Sequence, residues 1–161
     1  MKKIILTFTL FLFGIGILNA QEAPGIVGVA PQIVENLDEI ISKPILPGCE
    51  HIQDTNSVEV ESCFRSIMNV KITNQLLSKV SEIGDIGLDR LTSIVTVVIT
   101  KEGLMSNVKI ESTNDAQFGK IVEQQMNQIA ANVPSITPAK SNNGEAVNYM
   151  YRIPVTFVFT D

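Results

Sequence analysis

The chain has 161 residues, with 12 Lys and Arg against 17 Asp and Glu, so its formal net charge is −5 at neutral pH. This acidic balance disfavours nucleic acid as a partner, because basic side chains are needed to neutralise phosphates. It also leaves no polybasic patch that could bind an anionic membrane surface.

Residues 1–20 have the pattern of a secretory signal peptide. A basic start precedes an apolar run over residues 4–18, and small Ala20 stands before polar Gln21. The alternative is an uncleaved anchor, but a helix of this run would rise only about 22 Å, short of the roughly 30 Å hydrocarbon core. The sequence therefore predicts export from the cytoplasm, with membrane contact only if the segment stays uncleaved.

Removal of residues 1–20 would leave 141 residues with a formal net charge of −7, because that segment contains two lysines and no acid. This length suffices for one domain that buries about two thirds of its unfolded surface. We divide it into a lead-in segment, residues 21–43, and a folded domain, residues 44–161. Residues 21–48, which include the lead-in, are rich in proline and glycine, which favour turns and extended chain over regular elements.

Cys49 and Cys63 are the two cysteines of the chain, and an even pair in an oxidising compartment usually forms a disulfide. Closing this loop of 15 residues would disfavour the unfolded chain by about 3 kcal/mol. The spacing does not suit a C-x-x-C redox motif. Two alternatives remain open: a metal site in which Glu50 and His51 join Cys49, and a pair of free thiols.

An apolar residue at every fourth position predicts helix over residues 54–84. The stripe consists of Phe64, Met68, Ile72, Leu76 and Val80, with Ile67 and Ile83 beside it. Thr73 and Asn74 predict a break into two helices, because asparagine favours helix ends over interiors.

Residues 93–112 have the composition of β-strands. Residues 94–99 are almost entirely β-branched, and residues 104–111 alternate apolar with polar side chains. Gly103 in the short connection suits a positive φ. Together they predict a β-hairpin.

A second helix is predicted after the hairpin, ending before Pro134. Asn114 is the expected N-cap, with Gln117 three residues later as in a capping box. Its apolar stripe is Phe118, Val122, Met126 and Ile129. Residues 137–145 are polar and are predicted to form a loop.

Residues 147–159 show the clearest strand pattern in the chain, with alternate residues on opposite faces. One face consists of Val147, Tyr149, Tyr151, Ile153, Val155, Phe157 and Phe159. The order helix, strand, strand, helix, strand predicts an α+β fold of two layers. Its three-stranded antiparallel sheet has the spatial order 2-1-3, with helices on one face. Pro154 places the last strand at the sheet edge, because proline cannot serve a central ladder.

The sequence offers no arrangement of residues typical of catalysis, which needs a nucleophile, a base or a metal held together. His51 is the single histidine, and there is no Ser-centred elbow or Gly-rich phosphate loop. Asp54, Glu59 and Glu61 are scattered acids in a polar stretch, typical of a solvated surface. We therefore expect neither an enzyme nor a bound cofactor.

Four stretches carry a resemblance to a known family. They are Pro44-Ile45-Leu46-Pro47-Gly48-Cys49 with Cys63-Phe64, the hairpin over residues 95–108, Val133-Pro134-Ser135-Ile136-Thr137-Pro138, and the final strand with Arg152-Ile153-Pro154-Val155. Residues 44–159 resemble the TonB C-terminal domain, particularly a secreted subgroup that opens with a Pro-x-x-Pro-Gly-Cys motif.

The resemblance implies a periplasmic module that takes part in transport across the cell envelope. Such a module docks a peptide, or a segment of a TonB-dependent outer-membrane receptor, by strand addition. The last strand is expected to be outermost, with Arg152 on its solvent face available to an acidic partner. The expected docking residues are Val147, Asn148, Tyr149, Met150, Tyr151, Arg152 and Ile153. The alternative is a structural or self-associating domain, such as a homodimer through the same edge, with no transport role.

Overall fold

The computed structural model describes residues 40–159 and, for the backbone alone, residues 25–26 and 32–33. The predicted signal peptide lies outside the described residues. In chain order the described elements are β1 (Gly25–Ile26), β2 (Gln32–Ile33), β3 (Ile40–Ser42), α1 (Val58–Leu77), α2 (Val80–Gly84), β4 (Arg90–Ile99), β5 (Met105–Thr113), α3 (Ala116–Asn132), β6 (Ala139–Ser141), β7 (Ala146–Val147) and β8 (Tyr149–Val158).

The main sheet is antiparallel and has the order β1-β8-β4-β5, with β2 also paired to β8. Its centre is the ladder between β4 and β8, which runs from Arg90 opposite Val158 to Ile99 opposite Tyr149 without a register shift. The α+β class with antiparallel strands is therefore confirmed. The sheet is wider than the three strands predicted, because the lead-in adds β1 and β2 outside β8.

The long apolar stripe forms α1 and α2. On α1 the buried side chains are Val60, Phe64, Met68, Ile72 and Leu76. The helix breaks after Leu77, so the prediction of a break at Thr73 and Asn74 is wrong. Asn74 is exposed inside the helix and its carbonyl oxygen accepts the Ser78 N–H, so the backbone bonds continue past it. Within the described part of the chain, no helix is both long and apolar enough to cross a membrane.

The predicted hairpin is confirmed as β4 and β5, and Gly103 in its turn has φ +78°. The cap predicted for the next helix is wrong. Asp115 is the N-cap of α3, and its carboxylate accepts the Phe118 N–H at 2.8 Å. Asn114 instead binds β4, since its Oδ1 accepts the Thr92 N–H at 2.8 Å. Asp115 thus caps α3, whereas Asn114 fixes the chain before α3 to β4.

Helices α1 and α3 cover one face of the main sheet, and the core lies between the layers. Phe64 of α1 stacks on Tyr151 of β8 with ring centroids 3.8 Å apart. The predicted inward face of the last strand is confirmed for its five central members, which are buried: Tyr149, Tyr151, Ile153, Val155 and Phe157. Val147 and Phe159 at its ends are half-buried.

A second, small antiparallel sheet has the order β3-β6-β7. Its strand β6 occupies three residues of the loop predicted over residues 137–145, Ala139–Ser141. The chain turns at Gly144, whose φ is +81°, and Ala139 then lies opposite Val147. This sheet brings the end of the lead-in, β3, against the segment that precedes β8.

Candidate strand-docking edge

Six of the seven predicted docking residues belong to one of the two sheets, and Asn148 lies between them. Val147 ends β7 in the small sheet, and Asn148 connects it to β8. The side-chain Oδ1 of Asn148 accepts the Lys101 N–H at 2.9 Å, which fixes this connection to the hairpin turn. Tyr149 through Ile153 form the first half of β8. The candidate edge on the main sheet therefore begins at Tyr149.

The outer edge of β8, meaning the side that does not pair with β4, is partly occupied by the lead-in. The prediction that β8 is the outermost strand is therefore wrong at four positions. The antiparallel pairs are Gly25 with Val158, Ile26 with Phe157, Gln32 with Arg152, and Ile33 with Tyr151. Two of them fall inside the predicted docking stretch. The physical reason is that an exposed edge is a row of unpaired backbone groups, which nearby extended chain can satisfy.

Residues 153–156, which include Pro154, lie between the two stretches of β8 that are paired with described residues of the lead-in. No described residue pairs with residues 153–156 on the outer edge. On the inner side, Pro154 lies opposite Ile94 in an unbroken register. Because proline has no N–H, we expect the backbone nitrogen of Pro154 to face outward, where the ladder with β4 loses no hydrogen bond. Alternation along an antiparallel strand then directs the N–H groups of Met150 and Arg152 outward as well.

Arg152 is held by a carboxylate on the exposed face of the sheet. Its Nε and Nη2 donate to the two carboxylate oxygens of Glu111 at 2.6 and 2.7 Å. The guanidinium lowers the pKa of Glu111, and the carboxylate raises the pKa of Arg152. Glu111 lies on β5, so the pair spans β4 and links three strands. The expectation that Arg152 awaits an acidic partner is wrong, because it already binds one within the chain.

Tyr149 and Tyr151 fasten the inner face of β8 to the helical layer. Both side chains are buried, and their hydroxyls have no hydrogen-bond partner among the described residues. Burial raises the pKa of each hydroxyl, and the charge of Glu61 adds to the effect. Glu61 is itself paired with Lys43, whose Nζ lies 2.7 Å from its carboxylate. These tyrosines are therefore part of the core.

The opposite edge of the sheet, on β5, is irregular. Its pairing with β4 shifts register twice, and Asn107 has φ +52°. Bulges of this kind bend a strand and interrupt the row of backbone groups that a partner would need. Among the described strands of the main sheet, β8 is thus the better template.

The disulfide between Cys49 and Cys63 is confirmed, with a Cα–Cα distance of 6.0 Å. It joins the turn after β3 to α1, and it removes the thiols that the metal and free-thiol alternatives required. The two residues considered as metal ligands beside Cys49 make separate contacts. The Glu50 carboxylate accepts the Gly48 N–H at 2.7 Å, and His51 lines an open surface pocket with Asp54. The described residues contain no group of three or more side chains that could hold a metal ion.

Comparisons with protein-family models, with curated proteins and with solved structures found no match to this chain. The resemblance to the TonB C-terminal domain therefore rests on the sequence stretches named above, and a functional proposal depends on the geometry of β8.

Proposed function

We propose that residues 44–161 form a periplasmic binding domain, similar to the TonB C-terminal domain, that docks an extended peptide at the outer edge of β8. The partner would be a segment of an outer-membrane receptor or another extended peptide, bound during transport across the cell envelope. The observation that carries this proposal is the pairing of β1 and β2 with β8, because this edge already accepts added antiparallel backbone.

The regularity of β8 supports the proposal. Strand addition derives affinity from main-chain hydrogen bonds, so it needs a straight and rigid template. The ten-residue ladder with β4 holds one side of β8, and stacking of Tyr151 on Phe64 holds its inner face. The bidentate contact of Arg152 with Glu111 holds the other face.

The side chains of β8 on its exposed face would supply selectivity. Met150 is half-buried there and offers apolar surface beside Arg152. Alternate side chains of a bound strand would lie over the same face, because successive residues of a strand point to opposite sides. A partner with an apolar residue opposite Met150 is therefore expected to bind better than one with a charge there.

Substitution Met150→Pro tests the proposal by deleting one outward N–H. Met150 has the same alternation as Pro154, so the ladder with β4 is expected to tolerate the change. Loss of one backbone hydrogen bond costs about 1 kcal/mol, or about fivefold in affinity. Binding would be measured by calorimetry against a synthetic panel of proline-free ten-residue peptides with alternating apolar and polar residues.

Met150→Ala is the matched control, because it shortens the same side chain and keeps the N–H. It should retain more affinity for the selected peptides than Met150→Pro. Thermal melts establish that both variants are folded. A folded Met150→Pro protein that binds as tightly as wild type would contradict docking at this edge. A concentration-dependent dimer in sedimentation that ignores every peptide would favour the self-associating alternative.

A further inference from the structure

We infer that β1 and β2 act as an internal competitor for the partner strand, so that a partner must displace them to gain the full edge of β8. This inference rests on the proposed function, and it assigns that site an autoinhibitory contact. The described contacts on which it depends are the four backbone pairs of β1 and β2 with β8.

Competition follows from the overlap of the two binding sites. Gln32 and Ile33 lie opposite Arg152 and Tyr151, within the stretch proposed to take the partner. A strand edge has one row of donors and acceptors, so the same groups cannot serve two added strands. Docking of a partner along residues 149–153 and pairing of β2 are therefore mutually exclusive.

The internal pairing is suited to displacement because each paired stretch is short and the pairings of β1 and β2 with β8 differ in register by one residue. From Ile26 to Gln32 the lead-in advances six residues, whereas β8 spans five from Phe157 to Arg152. One extra residue interrupts a ladder as a bulge does. Each paired stretch is two residues long, in contrast to the ten-residue ladder between β4 and β8. A partner in continuous register could form more consecutive hydrogen bonds than β2 does.

The competitor lowers the apparent affinity in proportion to the time for which it covers the edge. The apparent Kd equals the intrinsic Kd divided by the fraction of molecules with a free edge. Coverage for about nine tenths of the time weakens partner binding about tenfold. Releasing β1 and β2 should therefore tighten binding without any change in β8 itself.

The test uses the full chain carrying Gly25→Pro together with Gln32→Pro. These residues lie opposite Val158 and Arg152, whose alternation directs their backbone groups outward, so each proline deletes a donor from the pairing. The matched control is Asn36→Pro, which adds a proline to the lead-in outside β1 and β2. Amide hydrogen exchange, and affinity for each of the ten-residue peptides named above, are measured for wild type, the double variant and the control.

We expect the double variant to expose the amides of Arg152 and Val158 to faster exchange, while β4 amides stay protected. We also expect it to bind the peptides about tenfold more tightly than wild type and the control. Unchanged exchange at both amides would overturn the inference. Equal peptide affinity in wild type and the double variant would also overturn it. Neither result contradicts strand addition itself. Failure of every peptide to bind the double variant overturns strand addition and, with it, the competitor.

Discussion

Tyr151 shows how single residues hold β8 in place. Its ring is fully buried against Phe64, yet its hydroxyl has no hydrogen-bond partner among the described residues. A buried hydroxyl without a partner contributes little or nothing to stability, whereas the ring contributes apolar contact. The side chain thus serves β8 mainly through its ring.

Tyr151→Phe is therefore expected to change the free energy of unfolding at pH 7 by no more than about 1 kcal/mol, or to raise it. The raised pKa of this hydroxyl gives a pH dependence. The folded state holds the hydroxyl proton more tightly than the unfolded state does. The resulting contribution to the free energy of unfolding is complete below about pH 10 and is lost as the pH rises above it. Between pH 7 and pH 11 the free energy of unfolding, measured in urea, should therefore fall less in the variant than in wild type. A loss above about 2 kcal/mol at pH 7 would contradict this view of the hydroxyl.

The hairpin turn shows how one element is fixed to another. Gly103 has φ +78°, and a Cβ at this position would clash with the carbonyl oxygen of Ile136. The Ile136 N–H in turn donates to the Gly103 oxygen at 2.9 Å. Only glycine permits both the backbone conformation and the close approach of the chain after α3.

Gly103→Ala is therefore expected to destabilise the domain more than Gly144→Ala. Gly144 also has a positive φ, but a Cβ there would meet nothing within 4 Å. Its substitution should cost only the backbone strain, about 1–2 kcal/mol, whereas Gly103→Ala adds the clash with Ile136. Chemical denaturation of both variants measures the difference. Equal losses would show that the turn moves away from Ile136 without cost.

Elements with a strong local pattern could be predicted from the sequence, and those fixed by distant pairing could not. The stripe containing Phe64 and Met68 gave a correct helix, because four-residue spacing is a local property. The N-cap at Asp115 was missed because Asn114 is an equally suitable capping residue by type. Its side chain instead accepts a hydrogen bond from β4, a contact that depends on the fold. The β6–β7 hairpin was missed although Asn143-Gly144 is a typical hairpin turn.

At the scale of the whole molecule, the candidate site was predicted in part. The alternation of residues 149–157 and the helix before them placed β8 beside β4, as the structure has it. Strands of two residues, such as β1 and β2, carry no periodicity, so the occupation of the outer edge could not be foreseen. Likewise, Arg152 and Glu111 are 41 positions apart in the sequence, so no local pattern indicates their contact.

The central claim is that β8 gains a strand on its outer edge when a partner binds. The most direct measurement is amide hydrogen exchange of the full chain with and without a bound peptide of the ten-residue panel, read residue by residue. The Met150 amide, which has no described partner on the outer edge, should become protected when the peptide binds, while β5 amides exchange as before. Protection that appears on β5, or a Met150 amide that exchanges equally fast in both states, would contradict the claim.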